Sequence, residues 1–547
     1  MDPVIGSMDG ASVTKKCGMK LSTYYFACGL HLCACFFFVF TAFSAIQSQS
    51  TSQFGLKLGI ASTATLYLAF AIFSLIGPFV FKVLKARWTL VIGLIGYMCL
   101  AVCAMITAQT EVECGASKCP STTGWVFEII GCIVCGISAS YVWCAQGTYL
   151  TNVASLYDDA KFQETSAASS TGASVAKGAS MAMFSGIFFC IFQMTSITGN
   201  LLASVLFQFA HASFFEICIV YLVFAVIGVV ISFFIQPVDE ATAELVARLK
   251  SEADAESANE SEEEEEETPL KTLLSAPKLL FGDIRMLLLV PLMVYSGFEM
   301  AFMWFDFFGN PVATHLGSKN VGYIAAILAA IDAILSFILS NFAAKIAEIK
   351  VGAEKKALGP VAFLPFVILG VAAHCLVTVL MFPGWNLLEL PFATDDLVDA
   401  WKQTSGFHGV STNGTSVVYE ASKWYGAPVD EVNSSNVWAI FIGLSALWAV
   451  GDAVANTMLQ NIIGSYFEGW KTAAAFANLK VFQALATAGA AAFNYHGIIH
   501  AEVKSSVMLA TYGVALLCYL AVVFLNPIVA KCSGGKASAT GAAAPLL

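Results

Sequence analysis

The feature that most limits what this chain can fold into is the recurrence of apolar windows about twenty residues long. A bilayer core of about 30 Å needs about 20 apolar residues per helix. Twelve windows reach that length, near residues 21–46, 58–81, 88–108, 125–151, 180–207, 213–235, 286–309, 320–343, 357–382, 437–463, 471–495 and 506–528. No water-soluble fold hides so many, because any folded protein leaves much of its surface exposed. Only 12% of the residues are Asp, Glu, Lys or Arg, against roughly 25% in an average soluble domain. The 43 phenylalanines exclude a disordered chain, since such chains are poor in aromatics. The pattern predicts an all-α polytopic membrane protein in contact with the lipid bilayer.

The formal net charge of −11 belongs to one segment of the chain. Between Asp239 and Glu267 lie 13 acidic residues, six of them in the run Glu262 to Glu267, with only Arg248 and Lys250 to oppose them. Elsewhere acids and bases balance. Six windows precede this segment and six follow it. Two six-helix halves joined by a polar linker is the layout of the major facilitator fold, whose halves are related by pseudo-symmetry. The expected division is an N-terminal segment 1–20, a first half 21–235, an acidic linker 236–285, a second half 286–528 with a long loop 383–436, and a tail 529–547. Within the linker, Asp239 to Lys250 is expected to form a short surface helix with Leu245 and Leu249 on one face.

Lys and Arg in short loops set orientation. With the N-terminus inside, eighteen fall on one face, among them Lys15, Lys82, Arg87, Lys161, Lys345 and Lys471. Only Lys57, Lys118, Lys319, Lys402, Lys423 and Lys504 fall on the other. Both termini and the acidic linker are therefore expected in the cytosol, with the choice between plasma membrane and endomembrane left open. Asn413 and Asn433 head N-glycosylation patterns in the long outer loop, so a glycoprotein is expected. Cys114 and Cys119 share another outer loop, where disulfides persist. Asn259 heads a third such pattern, but in the linker, where it is expected to stay unmodified. The other cysteines, including Cys132 and Cys135, lie mostly inside spans and read as buried thiols. No nucleotide loop, zinc-ligand cluster or nucleophile elbow is present, so the chain predicts no catalytic residue, metal, cofactor or nucleic-acid partner.

The spans resemble a known family. Phe40-Thr41-Ala42-Phe43-Ser44-Ala45-Ile46-Gln47-Ser48 closes the first window much as in the Unc-ninety-three family, the ion-channel-regulatory branch of the major facilitator superfamily. Similar matches are Trp143 to Thr151, Phe184 to Phe189, Gly199-Asn200-Leu201, Tyr295 to Phe302, Val321-Gly322-Tyr323 leading to Asp332, and Gly451 to Val454. The acidic linker, the outer loop and the Ala/Gly-rich tail lie outside the resemblance. It implies the major facilitator fold and a role in regulating potassium channels, in escorting receptors or in transport. One stretch departs from the superfamily pattern. Between the second and third windows, major facilitator transporters often carry Gly-x-x-x-Asp-Arg/Lys-x-Gly-Arg/Lys, but here Phe81 and Leu84 stand where the Asp and second Gly are expected. That departure weighs against cycling as an active transporter.

Charges near mid-bilayer are costly and normally face the bundle interior. Asp452, Asn456 and Gln460 recur four residues apart, a polar stripe on one helix face, and Asp332, Ser336 and Ser340 repeat the pattern. Lys480 stands three residues before Gln483, and Glu299 and Asp306 lie two turns apart. These residues predict an intramembrane polar or ion site in the second half, formed by Glu299, Asp306, Asp332, Asp452, Asn456 and Lys480. The structural alternative is that Asp452 and Lys480 form a buried pair fixing helix packing, since such pairs need not add stability. His31 and His374 read as packed, hydrogen-bonded imidazoles. Two functions stay in play: a regulator or escort of a membrane channel or receptor subunit that bears on potassium homeostasis, and a secondary transporter of a small solute or monovalent cation coupled to protons or sodium.

Overall fold

Each of the twelve apolar windows holds a helix, as it must in lipid, where every backbone N–H and C=O has to be satisfied within its own segment. The structure, a computed structural model, describes residues 15–16, 19–54, 56–114, 117–168, 179–256, 274–312, 316, 321–347, 350–351, 354–355, 361, 363–381, 388, 434–467, 470–496 and 501–532. Helices α1 (Leu21–Gln53), α2 (Leu56–Ser74), α3 (Gly77–Gln109), α4 (Thr122–Ala168), α5 (Ala179–Phe209) and α6 (Phe214–Ser232) build the first half. The linker contributes α7 (Asp239–Glu256) and α8 (Ser275–Gly282). The second half holds α9 (Ile284–Ala301), which continues as a π-helical segment Phe302–Val312, then α10 (Val321–Ala347), α11 (Leu364–Leu380), α12 (Ser434–Tyr466), α13 (Trp470–His496) and α14 (Ala501–Cys532). Among the described residues, ten helices are long and apolar enough to cross a membrane. The 17-residue α11 and the alanine-rich α13 complete the twelve.

The helix contacts repeat with a six-span offset. In the first half α1 packs on α4, α5 and α6, α2 on α4, and α3 on α4 and α6. In the second half α9 packs on α12, α13 and α14, α10 on α12, and α11 on α12 and α14. The principal contacts between halves come in exchanged pairs. α2 meets α13 as α10 meets α5, and α4 meets α13 as α12 meets α5. A pseudo-twofold axis relates the halves, and each has its own apolar core. Val223, Val230, Leu517 and Phe524 are exposed apolar side chains of the kind that lipid accepts and water does not.

Two helix boundaries differ from the hydropathy windows. The second window, 58–81, covers a break: α2 ends at Ser74 and α3 begins at Gly77, with Pro78 in its first turn. Proline is tolerated there because its missing N–H would have no partner in any case. The apolar run continues through the bend, so hydropathy does not register it. Inside α3, Lys85 adopts φ 60 and ψ 170, which separates an entry turn from the span proper. The Asp239 carboxylate accepts a hydrogen bond from the Ala86 N–H just beyond that kink, and burial pushes its carboxyl above the usual range.

The linker helix α7 runs past Lys250 to Glu256. Its Leu245 is buried in the first-half core, and Arg248 pairs with Asp159 of α4. Start signals behave as sequence chemistry dictates: Ser213 and Glu216 form a reciprocal capping box on α6. The loop after α3 is a hairpin in which Val112 opposes Cys119 and Cys114 opposes Ser117. The side chains of Cys114 and Cys119 lie outside the described residues, as do Asn259, Asn413, Asn433, the Glu262–Glu267 run and the tail.

Candidate functional site

Asp332 projects from the middle of α10 and is fully buried. Its Oδ1 accepts from the Ser336 hydroxyl at 3.0 Å, one turn away on the same helix. Its Oδ2 accepts from the side-chain amide of Gln193, which comes from α5 in the other half. The same Gln193 Nε2 lies 3.4 Å from Asp452 Oδ2 on α12. Asp452 Oδ1 accepts from Asn456 Nδ2 at 2.6 Å, so the predicted four-residue stripe is a real contact. One amide of the first half thus spans two carboxylates of the second.

Asp452 is the common neighbour, its carboxyl group lying against both Asp332 and Glu299. Glu299, on α9, is 1% exposed. Its Oε2 accepts from the Trp448 indole N–H at 3.0 Å and lies 3.7 Å from His374 Nε2. His374 is tied on both nitrogens. Nε2 donates to the Trp448 carbonyl at 3.1 Å, which leaves Nδ1 to accept from the Tyr295 hydroxyl at 2.6 Å. The ring therefore packs as a neutral, hydrogen-bonded imidazole. His31 is hydrogen-bonded as well, its Nε2 reaching the Ile231 carbonyl at 2.9 Å.

The energetic problem is plain. Two carboxylate oxygens bonded to one amide nitrogen are at most about 6 Å apart. Full charges at that distance repel by roughly 3 kcal/mol at an effective dielectric of about 20. Glu299 adds a third acid to the same cluster. No group of three or more His, Cys, Asp or Glu arranged to hold a metal ion occurs among the described residues.

The other predicted residues go elsewhere. Asp306, on the π-helical segment, pairs with Lys504 at 2.9 Å at the start of α14, which ties two helix ends together outside the cluster. Lys480 does not pair with Asp452. Its ammonium donates to Gln483 Oε1 at 2.7 Å and sits 4.6 Å above the ring of Trp143, from α4. The reason is the helix it stands on: α13 faces α2 and α4, whereas Asp452 on α12 faces α5 and α10. The Trp143 indole in turn donates to the Tyr97 hydroxyl at 3.0 Å. Gln460, last in the stripe, reaches across the halves to Gln146 at 3.4 Å. The structure brings Glu299, Asp332, Asp452 and Asn456 together and leaves Asp306 and Lys480 in separate contacts.

Sequence reasoning missed Gln193, Trp448 and Tyr295. An amide or an aromatic in an apolar helix carries no charge signal. The only available cue for Gln193 was that an amide in hydrocarbon also demands partners.

The family model described as "Ion channel regulatory protein UNC-93" matches residues 53–386. The chain is 24% identical over 457 residues to "UNC93-like protein 3" of Arabidopsis thaliana, covering 83% of this chain and 77% of that protein. It is 24% identical over 522 residues to "Protein unc-93 homolog A" of Homo sapiens, covering 88% and 90%. It is 24% identical over 350 residues to the "Putative potassium channel regulatory protein unc-93" of Caenorhabditis elegans, covering 56% and 43%. Among solved structures, it resembles the major facilitator superfamily proton:xylose symporter XylE with a TM-score of 0.53 at 12% identity, covering 92% of this chain and 95% of that one. That likeness establishes the fold alone.

Proposed function

Because the chain belongs to the UNC-93 family of ion channel regulatory proteins, we propose that it acts on a membrane partner of the channel class, escorting it or setting its activity, and so bears on potassium handling. The observation that carries this reading is the family match across residues 53–386, supported by a relative named as a potassium channel regulatory protein. The first turns of α3 support it too. Phe81, which stands where the transporter pattern has its Asp, packs on the first-half core, and Arg87 donates to the Phe233 carbonyl. A receptor subunit is the other partner class that the reading admits.

In this reading the chain sits with both termini and the acidic linker in the cytosol. Asn413 and Asn433 carry glycans on the opposite face, which also holds the hairpin of Cys114 and Cys119. The linker, residues 236–285, separates the two halves 21–235 and 286–528.

A second reading, secondary transport of a small solute or monovalent cation, is favoured by one observation: three buried acids stand at the seam between the halves, with Gln193 spanning two of them. Purified protein in liposomes, with and without a co-reconstituted potassium channel, separates the two. The expected outcome is a change in channel current and no gradient-driven uptake by the protein alone. Uptake that is abolished by Asp332→Asn or Asp452→Asn would overturn the regulator reading.

A further inference from the structure

We infer that the Glu299–Asp332–Asp452 cluster is a proton-binding site, and that its proton holds the two halves together where Gln193 crosses the seam. The inference goes beyond the proposed function and does not depend on it. It rests on three features of the geometry.

The first is contact between acids. Asp452 lies against both Asp332 and Glu299, and two carboxyl groups in contact are held by a shared proton or pushed apart by their charges. The second is the absence of a compensating base among the described neighbours. On α5 the groups facing the cluster are Gln193 and the Cys190 thiol. On α9 and α14 they are the Tyr295 and Tyr512 phenols. On α11 it is His374, whose two ring nitrogens are already engaged. Lys480 on α13 is held by Gln483 and Trp143 instead.

The third feature is the character of the shell. Ser336, Gln193, Asn456 and Trp448 all present hydrogen-bond donors to these oxygens. A metal or alkali cation needs oxygen lone pairs turned toward it, whereas these are turned toward N–H and O–H groups. A proton needs no such space, and the acids are 0–6% exposed. With the proton bound, Asp332 and Asp452 share Gln193 without full repulsion, and α5 stays seated on α10 and α12. When the proton leaves, the two like charges have only that neutral amide between them, and the seam is where the strain acts.

The test uses the full-length protein in lipid nanodiscs. Infrared difference spectra between mildly acidic and mildly alkaline pH are expected to show a protonated-carboxyl C=O band that titrates in the parent and loses most of its amplitude in Asp332→Asn and in Asp452→Asn. Because the folded state binds the proton, the melting temperature of the parent falls as pH rises, and the double Asn variant loses that slope. Absence of a titrating carboxyl band in the parent overturns the inference even if neither variant folds. Displacement of the band by K⁺ or Na⁺ at fixed pH overturns it as well, in favour of an alkali-cation site. Neither readout includes a partner, so failure here leaves the channel reading standing, and failure of that reading leaves this one standing.

Discussion

Asp283 stands at the entry to the second half and joins two helices through one carboxylate. It accepts the Arg285 backbone N–H at 3.0 Å, and its oxygens take the Arg285 guanidinium at 2.9 and 2.6 Å. That guanidinium lies 5.6 Å from the rings of Tyr466 and Phe467, so the start of α9 is fastened to the end of α12. Burial alone would push the Asp283 carboxyl up, but the bonds and charge of Arg285 hold it below the usual carboxylate range. A carboxyl held low when folded lends stability that is present at neutral pH and lost as pH falls through its folded value. Asp283→Ala is expected to cost about 1 kcal/mol, the usual value of a lost helix cap. It should also flatten the acid side of a melting-temperature profile in detergent; an unchanged acid limb would refute the role. At this same scale, Asp332 and Asp452 were legible because a charge in hydrocarbon is conspicuous. Gln193, which joins them, was not, because a neutral amide does not interrupt an apolar pattern.

At the level of the helix, hydropathy located all twelve elements but not where they bend. The break between Ser74 and Gly77 and the Lys85 kink fall inside a continuous apolar run, and only backbone geometry separates α2 from α3. The π-helical stretch Phe302–Val312 is likewise invisible to a period of 3.6. Its wider turn rotates the residues after Ala301 relative to a continuous α-helix, and Asp306 on that stretch pairs with Lys504 while Glu299 joins the acid cluster. Helix contacts in lipid depend on small residues that allow close approach, and Gly297 is the tightest case between α9 and α13. A Cβ there would lie 2.1 Å from the Gln483 backbone oxygen, an atom that no rotamer can move aside. Gly297→Val should therefore force the two helices apart, costing about 1–3 kcal/mol or more and lowering the monodisperse yield in size exclusion. Gly443→Ala, with nothing within 4 Å of the new atom, should leave that yield unchanged. Equal behaviour of the two variants would contradict the packing argument.

Across the whole molecule, the pseudo-twofold gives the two seams related but unlike contents. It exchanges α5 with α13, and Gln193 is the fifteenth residue of the one while Gln483 is the fourteenth of the other. On α5 the amide holds Asp332 and Asp452, and on α13 it holds Lys480. The acids thus sit at one seam and the base at its symmetry-related counterpart, instead of neutralising each other. Orientation belongs to this scale too. Glycosidase mobility shifts on Asn413→Gln, Asn433→Gln and Asn259→Gln should report glycan at the first two positions, in the outer loop. A glycan on Asn259, in the linker, would invert the topology.

What the sequence determined alone was residence in a bilayer, twelve helices in two halves, and a charge bias for one orientation, because each depends on local composition within about twenty residues. The family likeness was legible as well, from short ordered motifs. What only the tertiary structure decided was who meets whom inside the membrane. Gln193 and its two acids are 139 and 259 residues apart in the chain, and Lys480 finds Trp143 rather than Asp452. Periodicity assigns a residue to a face of its own helix. Which distant helix covers that face is settled by packing across the seam, and so is whether a buried charge meets a base, an aromatic ring or another acid.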